Sequence, residues 1–219
     1  MATRRTATST YEEPNQGVDS MAIGLQQLHP ALVHVPITLL PLAVGADLIG
    51  SVTRNASLLS FAQKAILISA VGAVGSAVSG LIAGEEVNVE GASMDMLITH
   101  RNLNVVATVV AIGMALWRAN LRTPTAGYLG TGMVGAAVLA YTSYLGGKLV
   151  YDAGVGVGPA HGVYRDDAPA LTPGHIGAFL TAAGTDSVHG VQHMIQEVGK
   201  GKFVPTILAE LGKRPVAPS

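Results

Sequence analysis

The chain has 219 residues, 49% hydrophobic and only 12% charged, whereas soluble domains carry about 25% charged residues, so the composition indicates a membrane protein. The net charge of −1 gives no indication of nucleic-acid binding, so no nucleic-acid partner is expected. The absence of cysteine excludes disulfides, cysteine-ligated iron–sulfur clusters and thiol catalysis, which leaves histidine, carboxylate and methionine as candidate ligands.

Residues 1–27 are polar and lack the apolar core of a signal peptide. This pattern predicts a flexible tail.

Four apolar segments follow, each about 20 residues long, which is enough to cross the hydrocarbon core as a helix. Their connections are short, so neighbouring helices should be antiparallel. The predicted fold is all-α, a four-helix transmembrane bundle within residues 28–152. The segments cover roughly residues 30–51, 62–83, 97–117 and 128–147.

A soluble helical bundle with an unusually apolar core is the alternative fold. A soluble surface helix carries polar residues on its outward face, and residues 105–117 show no such stripe. The membrane fold is therefore preferred.

Residues 153–219 predict a partly helical extension outside the membrane, with short amphipathic helices near 186–198 and 203–212. Apolar side chains such as Phe179 and Ile195 would be exposed on a free tail, so we expect the extension to dock. Besides the lipid bilayer, the expected partners are other membrane or electron-transfer subunits bound to this extension. His189 and His193 lie one turn apart and can bind a metal, although the run HGVQH lacks the glutamate of a zinc-protease helix.

Antiparallel spans place the basic loops on one side of the membrane, here named the arginine side. These loops carry Arg54, Lys64, Arg118 and Arg122 without any acidic residue. Because cytoplasmic loops are enriched in lysine and arginine, the arginine side is expected to face the cytoplasm. The predicted location is the bacterial cytoplasmic membrane, with both termini on the non-cytoplasmic side.

The opposite side, named the histidine side, collects ionisable residues from several helix ends. His29 and His34 begin the first span, Glu85 and Glu86 end the second, and His100 begins the third. Ionisable residues in or near spans are costly, which suggests a function. The first and third spans run in the same direction, so His34 and His100 should lie at similar depth and can ligate a haem iron between them. A zinc or copper site with Glu85 or Glu86 as a further ligand is the metal alternative, and His29 is an additional cofactor ligand candidate.

The residues around the first span also predict local structure. Because a residue before proline favours extended geometry, His29 is expected just outside the helix, with Pro30 at its first position. Asp47, late in the same span, is expected to pair with Arg54 or Arg118.

Two further patterns concern helix shape and packing. Pro36 and Pro41 should kink the first span, because proline cannot donate a backbone hydrogen bond. Gly72, Ser76 and Gly80 lie at four-residue spacing on one face of the second span, which permits close approach of another helix in lipid.

Two motifs carry a resemblance to a known family. HPALVHVPITLLPLA at residues 29–43 and LGGKLVYDAGVGV at residues 145–157 resemble the end motifs of a bacterial family of predicted four-helix membrane proteins of unknown function. Its members read His-Pro-x-x-Val-His-Phe-Pro and Leu-Gly-Gly-x-Leu-Val-Tyr, and they typically have a histidine where His100 lies. The resemblance covers about residues 28–157. It implies four membrane helices. Some relatives resemble haem-binding proteins or electron-transfer partners, and some resemble proteins joined to Rieske-type iron–sulfur domains.

These observations predict a small integral membrane redox subunit of a larger complex, without catalytic activity of its own. It would bind haem b through His34 and His100. One alternative is a structural membrane subunit without a cofactor, which the 5% aromatic content favours because few rings can sandwich a macrocycle. The other alternative is a transporter that handles metal ions or protons.

Overall fold

The computed structural model describes residues 23–87, 89–155, 170–171 and 174–212. The predicted tail up to residue 22, and residues 156–169 of the extension, lie outside the described residues. Two short strands, β1 (Ile23–Gly24) and β2 (Ala170–Leu171), pair antiparallel and connect the start of the bundle to the extension. The helices are α1 (Leu25–Leu32), α2 (His34–Thr53), α3 (Ala56–Glu85), α4 (Gly91–Ala119), α5 (Ala126–Tyr151), α6 (Ile176–Gly199) and α7 (Pro205–Gly212).

Four helical segments are long and apolar enough to cross a membrane: residues Leu28–Thr53, which include most of α1 and all of α2, and then α3, α4 and α5. The first span and α4 each contact both α3 and α5, so the four spans form a ring in which the first span and α4 are diagonal neighbours. The predicted all-α four-helix bundle is confirmed. Its outward surface is apolar, as contact with lipid hydrocarbon requires, and includes Val52, Val71, Val109, Leu116 and Val134.

The first span begins earlier than the sequence indicated. The helix starts at Leu25, so His29 and Pro30 lie inside α1, and the expectation that His29 precedes the helix is wrong. Contact of α1 with α3 stabilises this extra turn against the extended preference that Pro30 imposes on its neighbour. The helix is interrupted at Val33, because Pro36 has no N–H to donate to the carbonyl one turn earlier.

Short capped turns join the spans on the arginine side. Asn55 caps α3 by accepting hydrogen bonds from the backbone N–H groups of Ser57 and Leu58. Thr125 caps α5 by accepting from the N–H of Tyr128. Such caps satisfy N–H groups that a helix start leaves without partners, so these turns fix where each span begins.

The C-terminal extension packs against the histidine side of the bundle. The Asn102 amide donates to the Phe203 carbonyl oxygen at 2.8 Å, and the Thr206 N–H donates to the Thr99 hydroxyl at 3.1 Å. These bonds join the segment around α7 to α4, while α6 packs on α3. The extension therefore docks on its own bundle, and its docking to other subunits remains a prediction.

Candidate functional site

His29 and His100 meet on the histidine side, between the first span and α4. Their ring centres are 6.3 Å apart and their planes are perpendicular. The Nδ1 of His29 lies 3.0 Å from the Ser76 carbonyl oxygen, and the Nδ1 of His100 lies 2.9 Å from that of Thr142. A carbonyl oxygen can only accept, so each Nδ1 must carry the hydrogen. In the neutral imidazole this leaves the lone pair on Nε2, which is the tautomer of a metal-ligating histidine held by a backbone carbonyl.

A glycine faces each of these two imidazoles. A Cβ atom added at Gly80 would lie 2.7 Å from His29 Cε1, and one added at Gly146 would lie 3.0 Å from His100 Cε1. Each glycine lies one helical turn after the residue whose carbonyl oxygen accepts the histidine hydrogen bond. The small residues of α3, expected to serve helix packing, therefore also make room for an imidazole.

Both histidines line a cavity of about 490 Å³ that opens between the four spans. This volume is within the range of about 300–1,000 Å³ typical of ligand pockets. The lining is mostly apolar, with His34, Arg101 and Asn104 among its polar members. The Asn104 amide nitrogen lies 3.3 Å from His100 Nε2, a long contact that a stronger ligand of this nitrogen would replace.

The structure pairs His29, rather than His34, with His100. His34 lines the same cavity but its side chain is exposed. Inclusion of one further turn in the helix places His29 against α3 and at the level of His100. The three histidines proposed from the sequence as cofactor ligands thus share one cavity, and two of them are in close contact.

The carboxylates proposed as metal ligands lie in other surroundings. The Glu85 carboxylate is 2.8 Å from the Nδ1 of His193 on α6, and Glu86 is buried. Among the residues that the structure describes, no three histidine, cysteine or carboxylate side chains group closely enough to hold a metal ion. The two imidazoles are therefore the best-placed ligand pair in the described part of the chain.

A buried ion pair lies on the arginine side of the same two helices. Arg118 and Asp47 are 2% and 0% exposed, and the Nε and Nη2 atoms of Arg118 lie 2.9–3.0 Å from the Asp47 carboxylate oxygens. Arg118 also donates to the carbonyl oxygens of Leu59 and Leu121. The predicted pairing of Asp47 with Arg118 is confirmed, and it joins the first span to α3, α4 and the turn after α4.

The histidine pair and the ion pair belong to an internal repeat. His29 precedes Asp47 by the same sequence interval that separates His100 from Arg118, an interval of about five helical turns that returns to one helix face. Each of four buried residues of α2 has a buried counterpart in α4 at one constant offset, that is, one constant difference in residue number. The pairs are Pro36/Ala107, Leu40/Ala111, Ala43/Met114 and Asp47/Arg118. Buried positions of α3 recur in α5 at a second constant offset, as Ala62/Tyr128, Ile66/Gly132, Ser69/Gly135, Ala73/Leu139, Ser76/Thr142 and Ser79/Leu145.

The same two offsets relate the histidine surroundings. The difference in residue number that relates α3 to α5 also relates Gly80 to Gly146 and Ser76 to Thr142. The difference that relates α2 to α4 also relates His29 to His100. A shared helical period alone would align the buried faces, but it would not repeat the histidine, its carbonyl acceptor and its glycine. The bundle therefore consists of two similar helical hairpins, each providing one imidazole and one charged residue to the diagonal contact.

The fold and this cavity define an integral membrane protein of four helices with two facing histidines at one end. The chain belongs to the family described as "Predicted membrane protein (DUF2231)", whose model matches residues 26–159. That range includes all four spans and both end motifs and excludes α6 and α7. No curated protein and no solved structure matches the chain.

Proposed function

We propose that this protein is a small redox subunit of the bacterial cytoplasmic membrane that binds a b-type haem between His29 and His100. The observation that carries the proposal is the facing pair of imidazoles, each with Nδ1 donating to a backbone carbonyl. This arrangement fixes both rings and leaves Nε2 of each as a ligand. It replaces the pair His34 and His100 expected from the sequence.

The separation of the rings fits a single iron atom between them. An imidazole nitrogen binds a metal at about 2 Å, and the ring centre lies about 1 Å beyond that nitrogen, so two rings that would hold one iron have centres no more than about 6 Å apart. The observed value is 6.3 Å. Perpendicular ring planes are compatible with this, because a shared metal would not require the planes of the two rings to be parallel.

The cavity also suits the other parts of such a ligand. Its lining is mostly apolar, as the face of a macrocycle requires, and Arg101 lies on it. The Nη2 atom of Arg101 is buried and has no hydrogen-bond partner among the described residues. A guanidinium binds carboxylates well, so Arg101 is suited to a propionate group.

A bound haem would supply one-electron transfer, while the chain supplies the two ligands and a pocket of low dielectric constant. On the orientation predicted from the loop charges, the site lies near the non-cytoplasmic face. No catalytic activity of the chain itself is proposed. Other subunits remain the predicted electron donors and acceptors.

The absorption spectrum tests this function directly. We expect protein produced with an ample haem supply, or the apoprotein titrated with haemin in nanodiscs, to bind one haem per chain with a low-spin, six-coordinate spectrum. A colourless protein that does not take up haemin would overturn the proposal. In that case metal analysis separates a structural subunit from a metal-handling transporter.

Alanine at the two histidine-facing glycines tests the geometry of the site. Gly80→Ala and Gly146→Ala should displace the neighbouring imidazole and lower the affinity for haemin by about 10–100-fold, the range for groups that orient metal ligands. The loss should be larger for Gly80→Ala, whose added methyl group comes closer to the ring. Haemin titration measures the affinity of both variants.

Matched controls lie on the same two helices, outside the lining of the cavity. A Cβ added at Gly75 would come no closer than 3.9 Å to Leu32, and one added at Gly130 would meet no atom within 4 Å, so Gly75→Ala and Gly130→Ala should bind haemin as the unmodified chain does. Equal affinity across all four variants would contradict the assignment of the two imidazoles as ligands.

A further inference from the structure

Helix α6 crosses the end of α3 instead of running along it. Phe179 packs on Ile82, and Gly190 approaches the Leu81 carbonyl so closely that an added Cβ would lie 3.1 Å from its oxygen. His193 bonds Glu85. These α6 residues extend over about 21 Å of helix, whereas their α3 partners extend over about 6 Å, at 1.5 Å per residue. A steep crossing is required, so α6 runs roughly parallel to the membrane plane.

The crossing lies at the depth of the boundary between hydrocarbon and headgroups. Gly80, next to Leu81, faces His29, and His29 is the second residue of the first candidate span, Leu28–Thr53, which is about 39 Å long. A hydrocarbon core is about 30 Å thick, so the His29 level is close to one of its edges. Helix α6 therefore lies at this edge on the histidine side.

The surface of α6 is divided into three sectors by the rotation of about 100° per residue in an α-helix. One sector faces the bundle and contains Phe179, Asp186 and Gly190. On one flank of this sector lie exposed apolar residues, namely Ile176, Leu180, Val188, Val191, Ile195 and Val198. On the other flank lie exposed polar residues, namely Thr181, Thr185, His189, Gln192 and Gln196.

We propose that α6 is an interfacial helix whose apolar flank is immersed in the lipid leaflet of the histidine side. Three observations carry the assignment: the steep crossing, its depth at the bilayer edge, and the separation of apolar and polar flanks. A helix with one apolar and one polar face lies in the membrane interface with its apolar side buried by about 5–10 Å. The polar flank then faces water, and the apolar flank continues the lipid-facing surface of the spans. This proposal does not depend on the haem site.

Spin labels on the two flanks test this placement, and the natural chain contains no cysteine that would interfere. Single variants Leu180→Cys and Ile195→Cys label the apolar flank, and Thr185→Cys and Gln192→Cys label the polar flank. Each labelled full-length chain is reconstituted in lipid nanodiscs. Collision of the label with oxygen, which concentrates in lipid, is compared with collision with a water-soluble nickel chelate.

We expect the ratio of oxygen to nickel accessibility to be several-fold higher on the apolar flank than on the polar flank. Equal and high nickel accessibility on both flanks would overturn the proposal, because α6 would then stand in water. Protection of the apolar flank from both reagents would also overturn it, because a protein surface would then cover that flank. Two positions on each flank ensure that one disturbed label site does not decide the result.

Discussion

Alanine at His29 or at His100 is expected to abolish low-spin haem binding, with an affinity loss greater than about 100-fold. Either change removes one of the two ligands, whereas loss of a group that merely orients a ligand costs about 10–100-fold. The remaining imidazole would leave a five-coordinate, high-spin iron at most. Haemin titration and the absorption spectrum of the single variants measure the effect.

Two other histidines provide the controls for this experiment. His34→Ala should retain the low-spin spectrum, because His34 lines the cavity but is exposed. His189→Ala, on the polar flank of α6, should have no effect. A low-spin spectrum lost in His34→Ala and kept in His29→Ala would restore the pair expected from the sequence and contradict the one proposed from the structure.

Added imidazole separates loss of a ligand from loss of the fold. The His100→Ala variant leaves a space next to Gly146, into which free imidazole can diffuse. We expect millimolar imidazole to restore the low-spin spectrum of this variant if the bundle is intact. A variant that stays high-spin with imidazole, while its helical content and melting temperature are unchanged, would count against His100 as a ligand.

The sequence predicted the spans and the gathering of polar helix ends, because both follow from hydrophobic segment length and from antiparallel connection. It did not predict which histidine of the first span meets His100. That choice depends on where the helix begins, and the proline rule placed the start after His29. Packing of α1 on α3 stabilises an earlier start, which is a tertiary effect that local rules do not include.

The internal repeat was also not predicted from the sequence, although the sequence contains one signal of it. The pairs His29–Asp47 and His100–Arg118 have identical sequence spacing, and this spacing puts each histidine and its charged residue on one helix face. Few residues are identical at the two offsets, because a lipid-facing or core position needs only an apolar or small side chain. The spacing of rare ionisable residues was thus more informative than the similarity of the apolar ones.

The repeat gives the haem proposal a physical rationale. Each hairpin provides an imidazole, its carbonyl acceptor and a facing glycine, and the two sets meet where the diagonal helices approach. A ligand with two equivalent faces would suit a site built from two similar halves, and His29 and His100 would hold it from the two sides. At the other end of the same diagonal, the two halves carry opposite charges, aspartate in one half and arginine in the other.

Replacement of Arg118 with methionine is expected to lower the free energy of unfolding by about 3–5 kcal/mol, because the change leaves the Asp47 carboxylate buried without its counter-charge. Removal of both charges, as in Asp47→Leu with Arg118→Met, should recover most of this loss, because apolar residues of similar volume can replace a buried ion pair. Denaturant unfolding in mixed micelles measures the free energy of unfolding of the unmodified chain, of the Arg118→Met variant and of the double variant.

An exposed ion pair on the same bundle supplies the comparison. Lys148 and Asp152 are 3.6 Å apart with side chains 37% and 61% exposed, so Lys148→Met should cost about 1 kcal/mol or less. The folded fraction of the Arg118→Met variant should still bind haemin, because the ion pair lies about 27 Å from the histidines along the helices. Loss of haemin binding at full helical content would mean that the two ends of the diagonal are coupled, and that the ion pair sets the spacing of the imidazoles as well as the stability of the bundle.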